Sequence, residues 1–188
     1  MRIVSGIYKG RRFDVPHSFK ARPTTDFAKE NLFNILTNLI DFDSHIQALD
    51  LFAGTGSISI ELLSRGCEQV ISIEKDRDHY TFICKVLKEM GSKACVPLKA
   101  DVFKYISRCQ QQFDLIFADP PYALPELASL PDLIIEHHLL KENGLFVLEH
   151  GKDYQFDQHP HLMQHRSYGA VNFSFFQPTV KVMATSIG

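Results

Sequence analysis

Between residues 47 and 150, short apolar runs alternate with amphipathic stretches, and this alternation limits the fold more than any other feature of the chain. The runs Gln47–Leu51, Gln69–Glu74, Ala94–Lys99, Phe113–Ala118 and Gly144–Glu149 have strand length and little polar interruption. Helical patterns separate them at Ser57–Arg65, at 77–90 (where Tyr80, Ile83, Leu87 and Met90 share one face), at Asp101–Cys109 and near Asp132–Leu139. Apolar strands of this kind suit a parallel sheet covered on both faces. Their order with the helices predicts an α/β, doubly wound, Rossmann-like fold. Residues 161–178 differ. They read as a hairpin around Gly169, an antiparallel pair closing one sheet edge.

The 188 residues are 45% hydrophobic and 22% charged, which excludes disordered and fibrous classes and fits one soluble domain. No apolar run approaches the roughly 18 residues of a membrane span, so no membrane partner is expected. The opening MRIVSGIYKGRRF lacks the apolar stretch of a secretory signal. Cys67, Cys84, Cys95 and Cys109 stand singly and read as reduced thiols of a cytoplasmic protein.

Net charge is only -2, but its distribution is uneven. Residues 1–40 hold seven basic side chains (Arg2, Lys9, Arg11, Arg12, Lys20, Arg22, Lys29) against three acidic ones (Asp14, Asp26, Glu30). That segment is therefore +4 and the remainder -6. Two short strands at 2–5 and 11–15, around Gly6 and Gly10, predict a basic hairpin or extended arm. A helix follows Thr24-Thr25-Asp26, with Ala28, Leu32, Ile35, Leu36 and Leu39 at helical spacing. The expected organisation is a basic extension over 1–40 packed on a domain over 41–188. Such an extension is either a solvated face or an arm for a polyanion.

Two motifs carry chemistry. Asp50-Leu51-Phe52-Ala53-Gly54-Thr55-Gly56 lies where the first strand gives way to a helix, at the sheet edge where ligands of such folds bind. Ser59 stands where a third glycine would complete a dinucleotide fingerprint, which disfavours a nicotinamide or flavin cofactor. Glu74 ends the second strand about 20 residues further on, placed to hold a ribose diol. Asp101 follows the third strand and either reaches an adenine amino group or caps the next helix. After the fourth strand comes Asp119-Pro120-Pro121-Tyr122. Its prolines fix the backbone, so Asp119 and the Pro120 carbonyl become two acceptors aimed at one point. An exocyclic amino group has two N–H donors for such a pair. Holding both turns the nitrogen lone pair outward for attack on a methyl group. Tyr122 offers a face on which a base can stack.

With these motifs the sequence resembles the class I S-adenosylmethionine-dependent methyltransferases that act on amino nitrogens. Within them it is similar to the RsmD-type 16S rRNA guanine-N2 methyltransferase family. The opening MRIVSGIYKGRRF, Ala21-Arg22-Pro23-Thr24-Thr25-Asp26, Leu32-Phe33-Asn34-Ile35-Leu36, DLFAGTG, DPPY and Arg166-Ser167-Tyr168-Gly169 carry the resemblance across almost the whole chain. It implies S-adenosylmethionine as cofactor and 16S rRNA as partner, within a small-subunit ribosomal particle, with guanine 966 the target in that family. It further implies catalytic Asp119, Pro120 and Tyr122, and cofactor contacts from Asp50, Phe52, Gly54, Gly56, Glu74 and Asp101. The substrate side would use Arg11, Arg12, Arg22, Thr24 and Pro121. A monomer is expected. A DNA adenine-N6 methyltransferase and a non-catalytic RNA-binding module are the competing readings; the short chain opposes the first, and intact Asp119 and Tyr122 the second. His159, His161 and His165 read as surface histidines, since methyl transfer from a sulfonium needs no metal.

Overall fold

A computed structural model describes residues 1–19 and 25–179. Helix α1 (Asp26–Leu39) precedes four βα units and a fifth strand: β1 (Gln47–Leu51), α2 (Ser57–Ser64), β2 (Gln69–Glu74), α3 (Arg77–Met90), β3 (Cys95–Lys99), α4 (Val102–Ile106), β4 (Phe113–Ala118), α5 (Leu130–Glu136) and β5 (Leu140–His150). A hairpin of β6 (Leu162–Tyr168) and β7 (Val171–Phe176) follows. The strands form one sheet in the order β3-β2-β1-β4-β5-β7-β6. Strands β1 to β5 run parallel; β7 is antiparallel to β5, and β6 to β7. The doubly wound sheet and the closing hairpin are as expected. The order reverses between β1 and β4, the switch point at whose carboxyl ends open α/β sheets bind ligands.

Alternation along the strands builds two cores, one per sheet face. Leu115 and Phe117 join the cluster under α1, α2 and α3, with Phe33, Leu63, Ile83 and Phe173. Ile116 and Ala118 join the opposite cluster with Ile106, Ile134 and Phe146. The helices start where side chains satisfy their first N–H groups. Thr25 accepts from Ala28 N, and Asp76 from Asp78 N and His79 N. Helix α3 ends at Gly91, whose φ of 71° is left-handed.

Some boundaries move. Helix α4 stops at Ile106, three residues before Cys109, and α5 begins two residues before Asp132, with Pro131 in its first turn. Strand β5 starts at Leu140 because its pairing with β4 continues past a register shift between Phe113 and Leu115.

The arm pairs as a short hairpin without regular strands: Arg2 and Arg12 share an antiparallel bridge, Ile3 N donates to the Arg11 carbonyl, Gly10 N to the Ile3 carbonyl and Phe13 N to the Met1 carbonyl. Several donors between its paired ends find partners on α2. Val4 N and Ser5 N donate to Glu61, Ile7 N to the Ser64 carbonyl and Tyr8 N to Ser64 Oγ. Gly6 presses so closely on the Ser64 carbonyl that a Cβ would overlap its oxygen. Lys29, only 1% exposed, anchors the arm from the other side: its Nζ donates to the Arg2 carbonyl and to Ser57 Oγ and lies 3.7 Å from Glu61. Arg22 and Thr24 lie outside the described residues.

Candidate active site

The turn after β1 is built from left-handed backbone. Phe52, Gly54 and Gly56 have φ of 61°, 55° and 74°. Gly56 needs its missing side chain, since a Cβ would stand 2.9 Å from Ile83 Cγ1. Gly54 N donates to Glu74 Oε2 at 2.7 Å, and Asp76 N to Glu74 Oε1 at 2.7 Å. Glu74 thus joins the ends of β1 and β2 and retains lone pairs for further donors. Asp50 is 1% exposed, and its Oδ2 accepts from Ser59 N and Ser59 Oγ. It lies beneath the loop and fixes the first turn of α2. Ser59, where a third glycine was absent, also meets Ser72 Oγ at 2.7 Å. A hydrogen-bonded staple replaces the close helix–strand approach that glycine would allow.

Asp119 leaves β4 at the same edge, held by its N–H to the Leu51 carbonyl at 3.3 Å. Pro120 is buried, while Pro121 and Tyr122 are exposed. Three features that sequence reasoning missed hold Tyr122. Its hydroxyl donates to Glu149 Oε1 at 3.2 Å, and its carbonyl accepts from Tyr154 Oη at 2.9 Å. Its ring lies against Gly151, where a Cβ would come within 3.1 Å of Cδ2. An acid closing the otherwise apolar run GLFVLE was the available signal for Glu149.

Burial raises the carboxyl groups of Asp50 and Asp119 to about 7. Burial and then the neighbouring Asp119 push Glu149 up to about 8. The Tyr122 hydroxyl is raised as well, by burial and by the Glu149 and Asp119 carboxylates. Acidic groups are therefore concentrated where few cations offset them, which suits a cationic ligand. Perturbed groups of this kind gather at functional sites.

Asp50, Phe52, Gly54, Gly56, Glu74, Asp119, Pro120, Pro121 and Tyr122 all stand at the carboxyl edge of β1, β2 and β4. Asp101 stands beside them after β3, already engaged: Oδ1 accepts from Phe103 N and Lys104 N, and Oδ2 meets Lys75 Nζ at 3.2 Å. Arg11 and Arg12 part company. Arg12 is exposed. Arg11 reaches the Glu89 carbonyl at 3.3 Å, at the end of α3 away from the site, and packs over Phe13. Among the histidines, His159 meets Asp132 and His165 meets Asn172.

Solved structures share this architecture. An S-adenosylmethionine-dependent methyltransferase of Agrobacterium tumefaciens aligns with a TM-score of 0.62 over 80% of this chain and 62% of its own, at 16% identity, a likeness of fold. A hypothetical protein of Thermus thermophilus aligns with a TM-score of 0.82 at 27% identity, over 94% of this chain and 99% of its own. Fold and site together define a Rossmann-like methyltransferase. Residues 1–177 match the family described as Conserved hypothetical protein 95. The ribosomal RNA small subunit methyltransferase D of Haemophilus influenzae is 31% identical over 186 residues, 94% of this chain and 93% of its own length. The chain belongs to this family of small-subunit rRNA methyltransferases.

Proposed function

We propose that this protein transfers the methyl group of S-adenosylmethionine to the exocyclic N2 of a guanine in 16S rRNA, the family's guanine 966, within a small-subunit particle. The observation that carries the reading is the placement of Asp119 and the rigid Pro120 carbonyl one strand from the Gly54–Glu74 pair, at one sheet edge. Glu74 would hold the ribose diol, the loop through Phe52, Gly54 and Gly56 would bound the cofactor, and Asp101 would reach its adenine after displacing Lys75. The acidic surroundings of Asp119 fit a cationic sulfonium. That group supplies an activated methyl, so the protein's own task is alignment and exclusion of water.

Asp119 and the Pro120 carbonyl accept the two amino hydrogens and point the nitrogen lone pair outward. Tyr122, fixed by Glu149, Gly151 and Tyr154, stacks on the unstacked base; stacking of this kind is worth about 1–3 kcal/mol. Exposed Arg12, with Arg22 and Thr24, would meet the RNA backbone. Incubation of small-subunit particles from a strain lacking the enzyme with radiolabelled S-adenosylmethionine, followed by nucleoside analysis, tests this. Label in N2-methylguanosine is expected; label in methyladenosine, or none, refutes the assignment.

A further inference from the structure

Glu149 is the penultimate residue of β5, which pairs with β4 on the side away from β1 and β2. The glycine loop and Glu74 lie on the other side of Asp119. Glu149 therefore falls on the substrate side. It is 6% exposed, and Oε1 is occupied by the Tyr122 hydroxyl. Oε2 is buried and has no hydrogen-bond partner; among the described residues no other buried side-chain nitrogen or oxygen is so left. An unmet buried acceptor is costly and calls for an explanation. The Tyr122 bond fixes the carboxyl rotamer, so the free oxygen is held in place beside the stacking platform.

We propose that Glu149 Oε2 accepts the N1–H of the target guanine, which makes Glu149 the residue that selects guanine over bases with an acceptor at N1. This rests on the guanine-N2 reading above. Guanine presents N1–H and the N2 amino group as neighbouring donors, a match for two neighbouring carboxyl acceptors, Glu149 and Asp119. Adenine presents an amino group beside a bare N1 acceptor, which a carboxylate oxygen repels. Burial and Asp119 raise the Glu149 carboxyl to about 8 in the free protein, and an N–H donor from the base favours its ionised form. Glu149 takes no part in methyl transfer itself.

The test uses small-subunit particles reconstituted on rRNA that carries either guanine or 2-aminopurine at the methylated position. 2-Aminopurine keeps the exocyclic amino group but has an acceptor at N1. The wild type is expected to prefer guanine by at least about 10-fold, the discrimination of one specific base contact. Glu149→Gln offers an amide donor to N1 while keeping a partner for Tyr122. It should lower the guanine to 2-aminopurine rate ratio by at least about 10-fold. An unchanged ratio, with both rates lowered together, means that Glu149 only positions Tyr122 and overturns the proposal. Should the glutamine variant not fold, equal wild-type rates on the two particles overturn it as well. No wild-type transfer to guanine N2 overturns the proposed reaction, and this assignment with it.

Discussion

Replacing Lys29 with Met removes an ammonium that ties three segments together while nearly conserving side-chain volume. Its Nζ serves the Arg2 carbonyl, Ser57 Oγ and, at 3.7 Å, Glu61. Breaking a buried ion pair costs roughly 3–5 kcal/mol when the partner charge is left uncompensated. Here Glu61 keeps three donors: Val4 N at 2.8 Å, Ser5 N at 2.9 Å and Arg65 Nε at 2.9 Å. The loss should therefore be about 2–3 kcal/mol, mainly from the orphaned Arg2 carbonyl and the Ser57 hydroxyl. For a chain of this size that lowers the unfolding midpoint by about 4–12 °C. Thermal unfolding by circular dichroism gives the number, and limited trypsin digestion at Lys9, Arg11 and Arg12 reports the arm. Faster cleavage there is expected. A midpoint shift below about 2 °C with unchanged cleavage would refute the view that Lys29 anchors the arm to α2.

Glu74→Ala should weaken S-adenosylmethionine and S-adenosylhomocysteine alike by roughly 1.5–3 kcal/mol, since both carry the ribose diol; calorimetry measures it, and equal affinity with an intact fold removes Glu74 from the cofactor site. Arg12→Ala should make the log–log salt dependence of RNA binding shallower by about 0.7, one phosphate contact. Arg11→Ala, whose side chain is committed to α3, should leave that slope unchanged. The free protein should lose stability as pH rises from about 5 to 8. Asp50, Asp119 and Glu149 have folded values of about 7, 7 and 8 against ordinary values of 3.8, 3.8 and 4.5. Their contribution is thus fully present below the unfolded values and is lost as pH rises through the folded ones. A melting midpoint that climbs steadily over that interval would contradict the burial of these groups.

The sheet was legible because each strand and helix of residues 47–150 announces its own period, and because β7 and β6 flank a turn glycine. The D-P-P-Y turn and the glycine loop were legible because their conformation is set by local backbone. What sequence reasoning missed depends on contacts distant in the chain. The hairpin of the arm was legible, but not that Val4, Ser5 and Tyr8 donate to Glu61 and Ser64, 56 or 57 residues away. Lys29 reads as one more surface cation until the Arg2 carbonyl folds over it. Arg11 and Arg12 read as one basic pair, yet extended backbone sends neighbouring side chains to opposite sides. Asp50 looks like a ligand contact at the head of the loop; that its Oδ2 is bound by Ser59 was not legible.

The central claim is that Asp119 holds the reacting amino group rather than the cofactor or the fold. Single-turnover methyl transfer by Asp119→Ala, measured on unmethylated small-subunit particles at saturating S-adenosylmethionine, tests it most directly. Loss of one preorganised acceptor predicts a rate at least about 100-fold lower, with S-adenosylhomocysteine affinity much less changed. A rate within a few fold of the wild type would contradict the account.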